Sequence, residues 1–202
     1  MNGAFIVFEG IDGTGKSTQL ARLARALEAA GHRCVSTGEP WRGSEAGRKL
    51  RAAMPGTEPL DAEVELALFI EQRRDHVREV ILPALERGDV VLCDRYYFST
   101  VAYQGARGFD WRELLAQNEA EGFPEPDLLL LFDMDPTVSL GRVTDRAGTA
   151  EPTFEEPTRL AAARDVYRAI ERDFIVVIDA SGTVDAVGSA VTAAVRERLA
   201  LP

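Results

Sequence analysis

The sequence predicts an α/β protein of three layers, in which a five-stranded parallel sheet is flanked on both faces by helices. Short apolar runs alternate with amphipathic stretches along the 202 residues, the pattern of repeated strand–helix units. Most of the runs are apolar throughout, which is typical of parallel strands that are covered on both faces. No linker rich in proline, glycine or serine divides the chain. We therefore expect a single domain that spans residues 1–202.

Five runs are the predicted strands. Each is four or five residues long, and most are rich in leucine, valine or isoleucine. In chain order they are Ala4–Phe8, Cys34–Thr37, Val90–Cys93, Leu128–Phe132 and Ile175–Ile178.

The amphipathic stretches between these runs are predicted helices. Asp135 followed by Pro136 is a good helix start, because aspartate caps the first N–H groups and proline fits the first turn. Pro83 lies inside a helical pattern and is expected to kink or interrupt that helix. The first predicted helix follows the first strand after a glycine-rich loop, and the others cover 61–87, 111–121, 136–146, 155–172 and 183–199.

An acidic residue follows the end of each predicted strand. Parallel strands joined by right-handed crossovers have their carboxyl ends on one edge of the sheet, where ligands bind. We expect these side chains to face that edge: Asp12, Glu39, Asp94, Asp133 and Asp179.

The loop after the first strand carries the most specific motif of the chain. It fits G-x-x-x-x-G-K-[ST], in which glycines let N–H groups point at an anion and the next helix adds its positive end. Lys16, one of only two lysines, is placed to reach the β- and γ-phosphates, and Ser17 to bind Mg²⁺. A chance glycine-rich turn is disfavoured by the strand before it and the helix after it. The motif predicts a P-loop NTPase fold that binds a nucleoside triphosphate, ATP if the chain is a kinase, through Gly10, Ile11, Asp12, Gly13, Thr14, Gly15, Lys16, Ser17 and Thr18.

Composition limits the range of functions. The net charge of −10 and the pI near 4.8 argue against a surface that coats nucleic acid. No apolar run approaches the ~18 residues of a membrane span, so we expect no membrane partner. The N-terminus leads straight into the first strand, which predicts no signal peptide and a cytoplasmic location.

The cysteines and histidines suggest no metal site. Cys34 and Cys93 both fall in predicted strands, so we expect buried thiols and no disulfide. His32 and His76 show no metal-ligand spacing, and we expect both to be surface residues.

The segment Asp94–Gly105 separates kinases from other P-loop proteins. Asp94 ends a strand, where it can complete a Mg²⁺ shell opposite Ser17, and Arg95 can grip a second phosphate. Serine, threonine, tyrosine and glutamine then recur along one short helix, as a sugar and base site requires. A salt-bridged pair followed by an ordinary polar helix is the alternative. A GTPase is excluded, because no Asn-Lys-x-Asp motif occurs late in the chain.

In these segments the chain resembles the thymidylate kinase family, which makes dTDP from dTMP and ATP with Mg²⁺. The resemblance runs from Phe5 to about Val187. It is strongest at Phe8–Gln19 and Asp94–Gly105. Weaker support comes from Leu68-Phe69 with Arg73 and from residues 83–88, 126–128 and 177–180. The family resemblance also implies a homodimer, formed through the helices near 61–87.

The resemblance implies which residues would bind dTMP. Phe69 would stack on thymine, and Arg73 would donate to a base carbonyl. Thr100 and Gln104 would lie along the remaining base edge, and Tyr103 would crowd the sugar 2′ position. The dTMP site implied in this way is Asp12, Glu39, Arg51, Phe69, Arg73, Arg95, Ser99, Thr100, Tyr103 and Gln104.

Plainer interpretations of these residues stay open. Phe69 is equally a core residue by its helical spacing, Tyr103 could simply pack, and Arg73 with Arg74 could form a solvated face.

The catalytic residues implied by the resemblance include the phosphate-binding arginine and the lid. Arg95 would hold the acceptor phosphate, with Arg51 a weaker candidate, and Asp12 would contact the sugar 3′-OH. The family places a transition-state cation either in the phosphate loop or in a mobile lid. Since the loop position is Gly13, the duty falls on a lid at about 140–155. The implied catalytic set is Lys16, Asp12, Arg95, Arg142 and Arg146, the last two on one helix face unless they only decorate a surface helix.

Two positions depart from the family pattern. Relatives usually carry an arginine where Thr153 precedes Phe154-Glu155, and another where Gly38 precedes Glu39. We expect Arg42 to take the place of the second. Two other functions therefore stay open: a kinase for another deoxynucleotide or deoxynucleoside, and a nucleotide-binding protein with weak turnover.

Overall fold

A computed structural model describes residues 3–53, 60–147 and 157–201 of the chain. Its centre is one parallel sheet with the strand order β2-β3-β1-β4-β5. The strands are β1 (Ala4–Glu9), β2 (Cys34–Gly38), β3 (Val90–Asp94), β4 (Leu128–Asp133) and β5 (Ile175–Asp179). The predicted α/β fold and all five predicted strands are confirmed, and each strand extends one residue past its predicted end.

Helices lie on both faces of the sheet. They are α1 (Lys16–Ala29), α2 (Glu45–Ala53), α3 (Ala62–His76), α4 (Leu82–Glu86), α5 (Tyr97–Gly105), α6 (Trp111–Ala120), α7 (Pro136–Ala147), α8 (Pro157–Ala169) and α9 (Val184–Leu199). Among the described residues, none of the helices is long and apolar enough to cross a membrane.

Successive side chains of β1 point to opposite faces of the sheet, and the core therefore has two layers. Phe5 and Val7 face a cluster completed by α3 to α6 and α8, whereas Ile6 and Phe8 face a cluster completed by α1 and α9. All four side chains are at most 1% exposed. This double burial explains why the strand reads as a continuous apolar run.

The predicted helix over 61–87 is continuous but irregular. Between α3 and α4 the backbone forms a π-helical turn, Val77–Ile81, and the amide of Leu82 donates to the carbonyl of Val77. Pro83 follows directly. Since proline has no N–H and its ring crowds the carbonyl four residues before it, the wider turn accommodates it without breaking the helix. The expected interruption thus takes the form of a π turn.

Helix α2 was not predicted. Its nine residues follow a short loop and include four charged side chains, so the apolar pattern is short. Helix α2 packs beside α3 and frames the loop that follows β2.

The two cysteines are free. Cys93 is fully buried in β3, and burial raises the pKa of its thiol well above the usual value. Cys34 is half-buried on the edge strand β2.

An ion pair fastens α8 to the sheet. Asp133, at the end of β4, accepts two hydrogen bonds from Arg164, at 2.6 and 2.8 Å. The hydrogen bonds from Arg164 lower the pKa of Asp133 below its ordinary value of 3.8. Asp133 therefore anchors a helix, although its strand-end position predicted a residue at the ligand-binding edge.

We expect Asp133→Asn to reduce the free energy of unfolding by about 1–3 kcal/mol at pH 7, since it weakens hydrogen bonds to a charged group. Because the pKa of Asp133 is lowered by folding, its contribution is complete above the ordinary value of 3.8 and is lost as the pH falls further. Urea unfolding of both proteins at several pH values measures this. A difference that grows below pH ~4 would contradict the assignment.

Candidate active site

The glycine-rich loop between β1 and α1 is shaped by its neighbours. Gly13 has a φ of +82°, and a Cβ there would lie 2.2 Å from the carbonyl oxygen of Ser139 in α7. No side chain fits at this position while α7 is packed against the loop. The packing therefore explains why the loop carries no arginine of its own.

The N-terminus of α1 is open to an anion. Its capping residue, Gly15, has no side chain, and its first turn contains no acidic residue. Lys16 is 6% exposed, and its Nζ donates to the carbonyls of Gly10 and Ile11, both at 2.9 Å. Burial, with a smaller contribution from Arg95, lowers the pKa of Lys16 to about 8. A phosphate bound here would raise the pKa of Lys16 and so favour its charged ammonium form.

Ser17 and Asp94 meet across the parallel pair β1 and β3. The Ser17 hydroxyl donates to Asp94 Oδ2 at 2.5 Å. Asp94 Oδ1 is buried and has no hydrogen-bond partner among the described residues. A hydroxyl and a carboxylate with an unsatisfied oxygen are ligands that suit Mg²⁺. The residues present therefore fit the predicted metal.

Arg95 lies between the phosphate loop and the next helix. Its Nη2 donates to Asp12 Oδ1 at 2.6 Å, and its Nη1 donates to Ser99 Oγ at 3.0 Å. Its guanidinium also lies 5.2 Å from the ring centroid of Tyr103. The backbone of Arg95 has a φ of +70°, an uncommon value for a residue with a side chain. Such strain persists only where neighbouring contacts enforce it.

A cleft of about 780 Å³ opens beside Asp12 and Arg95, at the carboxyl edge of the sheet. The structure brings all of the predicted dTMP-site residues into its wall. They are Asp12, Glu39, Arg51, Phe69, Arg73, Arg95, Ser99, Thr100, Tyr103 and Gln104.

The side chains in this wall differ in what they offer a ligand. Phe69 is partly exposed, as a stacking residue must be, rather than part of the core. Gln104 is 2% exposed, and its Oε1 has no hydrogen-bond partner within the described part of the chain. Arg51 is held by its hydrogen bond to the carbonyl of Pro40 at 2.6 Å, and Arg42 is exposed at the rim.

Arg73 is fully buried at the base of the cleft. Its Nε donates to Glu39 Oε2 at 2.9 Å, its Nη1 to Asn118 Oδ1 at 2.8 Å and its Nη2 to Thr100 Oγ1 at 2.9 Å. These contacts fix the plane of the guanidinium before any ligand arrives. The solvated-face interpretation is wrong for Arg73 and correct for Arg74, whose side chain is 58% exposed and pairs with Glu121.

His76 is buried, so its expected place on the surface is wrong. Its Nδ1 contacts Glu39 Oε1 at 3.1 Å, its Nε2 contacts Thr37 Oγ1 at 2.7 Å, and its ring stacks on Trp41. His76 follows Arg73 by three residues and hence shares its helix face, a signal that could have identified it. Burial would raise the pKa of Glu39, but Arg73 and His76 outweigh it and keep that pKa below the usual value.

Trp41 shapes the loop after β2. The peptide bond from Glu39 to Pro40 is cis, and the amide of Trp41 then donates to Gln72 Oε1 at 2.8 Å. A Cβ on Gly43 would lie 2.1 Å from the indole ring, so only glycine fits beneath it. Trp41 thereby lies over His76 and forms part of the cleft wall.

A second pocket, of about 420 Å³, lies on the other side of the phosphate loop. It is lined by Gly15, Thr18 and the loop between β5 and α9. Arg142 borders it, and its guanidinium donates to the carbonyls of Ala180 and Ser181 at 3.0 and 3.1 Å. The structure thus places Arg142 beside this pocket and not in the 780 Å³ cleft beside Asp12 and Arg95, which we call the acceptor cleft.

The rest of the predicted lid cannot be placed. The side chain of Arg146 and the segment 148–156, with Thr153 and Phe154-Glu155, lie outside the described residues. Arg159, which sequence reasoning missed, is an exposed residue in the first turn of α8 and lines the acceptor cleft. Nothing in its sequence context set it apart from the other arginines of α8.

Phosphoryl transfer needs a donor site and an acceptor site that meet, and both occur here at one edge of the sheet. The phosphate loop lies on the central strand, and the acceptor cleft begins at the Asp12–Arg95 contact beside it. The fold and the site together define a P-loop kinase.

Comparison with known proteins identifies the family. The family model described as thymidylate kinase matches residues 8–191. The thymidylate kinase of Akkermansia muciniphila is 44% identical over 98% of this chain and 92% of the relative. That of Solidesulfovibrio magneticus is 45% identical over 93% and 96%, and that of Xanthomonas euvesicatoria is 43% identical over 92% and 80%. The chain belongs to the thymidylate kinase family.

We expect Glu39→Gln to lower the free energy of unfolding by about 3 kcal/mol or more, because it leaves the buried Arg73 without its charged partner. The matched control is Glu121→Gln, which removes the partner of the neighbouring, exposed Arg74 and should cost no more than about 1 kcal/mol. Urea unfolding at pH 7 measures both. Equal losses in the two variants would show that the Arg73 pair is no more important than a surface ion pair.

Proposed function

We propose that this chain is an ATP-dependent thymidylate kinase, which transfers the γ-phosphoryl group of ATP to dTMP and releases dTDP and ADP. One observation supports this most directly. The acceptor cleft starts at the phosphate loop and ends at a preorganised, fully buried arginine, so one end suits a phosphate and the other a polar base.

ATP would occupy the phosphate loop, with its adenine in the second pocket. The N–H groups of residues 10–18 and the Lys16 ammonium would hold the β- and γ-phosphates. Ser17 and Asp94 would hold Mg²⁺, which when bound neutralises charge on the phosphates. Arg142, from its place beside the second pocket, would contact the adenine or fix the loop around it.

The base of dTMP would lie between the cleft walls. Phe69 would stack on thymine, and Arg73, which lines the cleft, would donate to a base carbonyl through an N–H that its three protein partners do not use. Gln104 Oε1 is a buried acceptor that receives no hydrogen bond among the described residues, and N3–H of thymine could donate one to it. Tyr103, beside Asp12, would leave room for a deoxyribose but not for a 2′-hydroxyl.

The acceptor phosphate would bind Arg95 and Arg51. No general base is required, because the attacking oxygen belongs to a phosphate that is already largely ionised at neutral pH. Catalysis then depends on in-line alignment and on positive charge around the migrating group. Arg95 supplies part of that charge, and Arg159 is placed to add to it at the mouth of the cleft.

Three further features belong to this proposal through the family resemblance. We expect a single P-loop kinase domain whose lid, at about 140–155 with Arg146, closes over the phosphates and excludes water. We also expect a cytoplasmic homodimer that uses the surface near 61–87. Val64 and Leu82, both on that surface and 50% and 42% exposed, are consistent with a contact there.

The test is an ADP-release assay with Mg-ATP against dTMP, dUMP, dCMP, dGMP, UMP and thymidine. Selective turnover of dTMP is the expected result. Turnover of a different acceptor would keep the P-loop chemistry and overturn the base site. No turnover with any acceptor would leave a nucleotide-binding protein.

We expect Asp94→Asn to raise the Mg²⁺ concentration needed for half-maximal rate by about tenfold or more, since a neutral amide is a poorer Mg²⁺ ligand than a carboxylate. Asp133→Asn, at the end of strand β4, is the matched control and should leave that concentration unchanged. The measurement is a Mg²⁺ titration of initial rates at saturating ATP and dTMP. If both variants follow the wild-type curve, Asp94 is not a metal ligand.

A further inference from the structure

Glu9 is a buried carboxylate that the proposed reaction does not use. It is the last residue of β1, directly before the phosphate loop, and it is fully shielded from solvent. An acidic side chain in such a place is costly unless donors saturate it. The contacts of Glu9 therefore indicate why it is there.

Two of these contacts cap helix α5. The capping residue of α5, Tyr96, offers no side-chain cap of its own. Instead, Glu9 Oε1 accepts from the backbone amides of Tyr96 at 2.7 Å and of Ser99 at 3.1 Å. A residue of β1 thus satisfies N–H groups that a helix normally leaves to its own cap. The helix fixed in this way carries the acceptor-site residues that follow Arg95.

The same contacts hold Arg95 in its strained conformation. The amide of Arg95 donates to the carbonyl of Phe8 at 2.9 Å, and the next amide in the chain, that of Tyr96, donates to Glu9. Two adjacent residues of β1 therefore grip the backbone on both sides of the positive φ. Ser99, which Glu9 also binds, accepts from Arg95 Nη1. The direction of the Arg95 side chain depends on this arrangement.

The second oxygen of Glu9 connects to helix α8. Glu9 Oε2 accepts from Ser99 Oγ at 2.6 Å and from the hydroxyl of Tyr167 at 2.8 Å, and these two hydroxyls lie 2.9 Å apart. Tyr167 belongs to α8, the helix that Arg164 fastens to β4. Burial raises the pKa of Glu9, while Arg95 and the donors around it act in the opposite direction.

We propose that Glu9 is a positioning residue, which sets the acceptor helix α5 and the helix α8 in fixed register with the phosphate loop. It acts through Arg95 and Ser99 and touches neither substrate. The Ser99 hydroxyl, which the resemblance assigned to dTMP, belongs to this network. The inference rests on the proposed function, because the acceptor whose alignment it explains is dTMP.

The first test is Tyr167→Phe, which removes one hydroxyl from the network and keeps the ring. We expect kcat/KM for dTMP to fall about three- to tenfold, less than the full loss of a hydrogen bond to a charged group, because the hydroxyl acts on the acceptor only through Glu9 and Ser99. The KM for ATP should stay within about twofold of wild type, since the phosphate loop is held by other contacts. The matched control is Tyr97→Phe: Tyr97 is 1% exposed on α5, and its hydroxyl makes no hydrogen bond among the described residues.

Both variants are assayed at a temperature well below their unfolding midpoints. A purely structural hydroxyl would lower the midpoint but leave the kinetic constants of the folded enzyme unchanged. If Tyr167→Phe matches Tyr97→Phe in kcat/KM for dTMP, the inference is overturned. A wild-type chain that phosphorylates no acceptor would instead contradict the proposed function, so the two failures are distinguishable.

A double-mutant cycle adds a second criterion. Since the hydroxyls of Ser99 and Tyr167 meet at one oxygen of Glu9, their effects on kcat/KM should be coupled. The double variant Ser99→Ala/Tyr167→Phe should show a smaller fold-loss of kcat/KM than the product of the fold-losses of the two single variants. Effects that multiply independently would overturn the network. Glu9→Gln should lower kcat/KM for dTMP more than either single variant does. If Glu9→Gln does not fold, the double-mutant cycle still tests the network.

Discussion

The parallel pairing of β1 with β3 determines the geometry of the site. Phe8 lies opposite Asp94 in that register, so the two strands end side by side. The phosphate loop follows β1, and Arg95 follows β3. Ser17 and Asp94 meet as a result, and so do Asp12 and Arg95. A slip of one residue would turn Asp94 to the opposite face and separate all of these groups.

Buried glutamates at strand ends then orient the cations of the acceptor cleft. Glu39, after β2, holds Arg73, and Glu9, at the end of β1, supports the backbone that carries Arg95. An acidic chain with a net charge of −10 can bind a nucleotide because its arginines are concentrated and fixed at this one edge. Both glutamates are buried, and each helps to fix the arginine beside it.

Local signals predicted much of this architecture. The strands, the phosphate loop and the segment after β3 are contiguous in sequence, and their apolar runs and glycine spacing are strong. The network around Arg73 joins residues from β2, α3, α5 and α6, so no local pattern reveals that His76 and Asn118 are buried with it. For Arg142, the local pattern predicted the helix face but not what that face contacts. Its helix face was predicted, but the pocket it faces depends on the loop after β5, which lies 38 residues further along the chain.

One departure from the family pattern has a structural counterpart. Where Gly38 replaces the usual arginine before Glu39, the loop after β2 is ordered by Trp41, Gln72 and His76. The phosphate loop and the Asp94–Arg95 pair show no departure. The chain therefore varies the wall of its acceptor cleft while it keeps the edge where the phosphates meet.

The central claim is that the phosphate loop and the acceptor cleft form one continuous site that meets at Asp12 and Arg95. The most direct test is the binding of a compound in which adenosine and thymidine are joined by five phosphates, measured by titration calorimetry with Mg²⁺. One molecule should bind per chain, more tightly than ATP or dTMP alone, and each substrate should displace it. Displacement by only one of the two substrates would show that the two pockets do not form a single site.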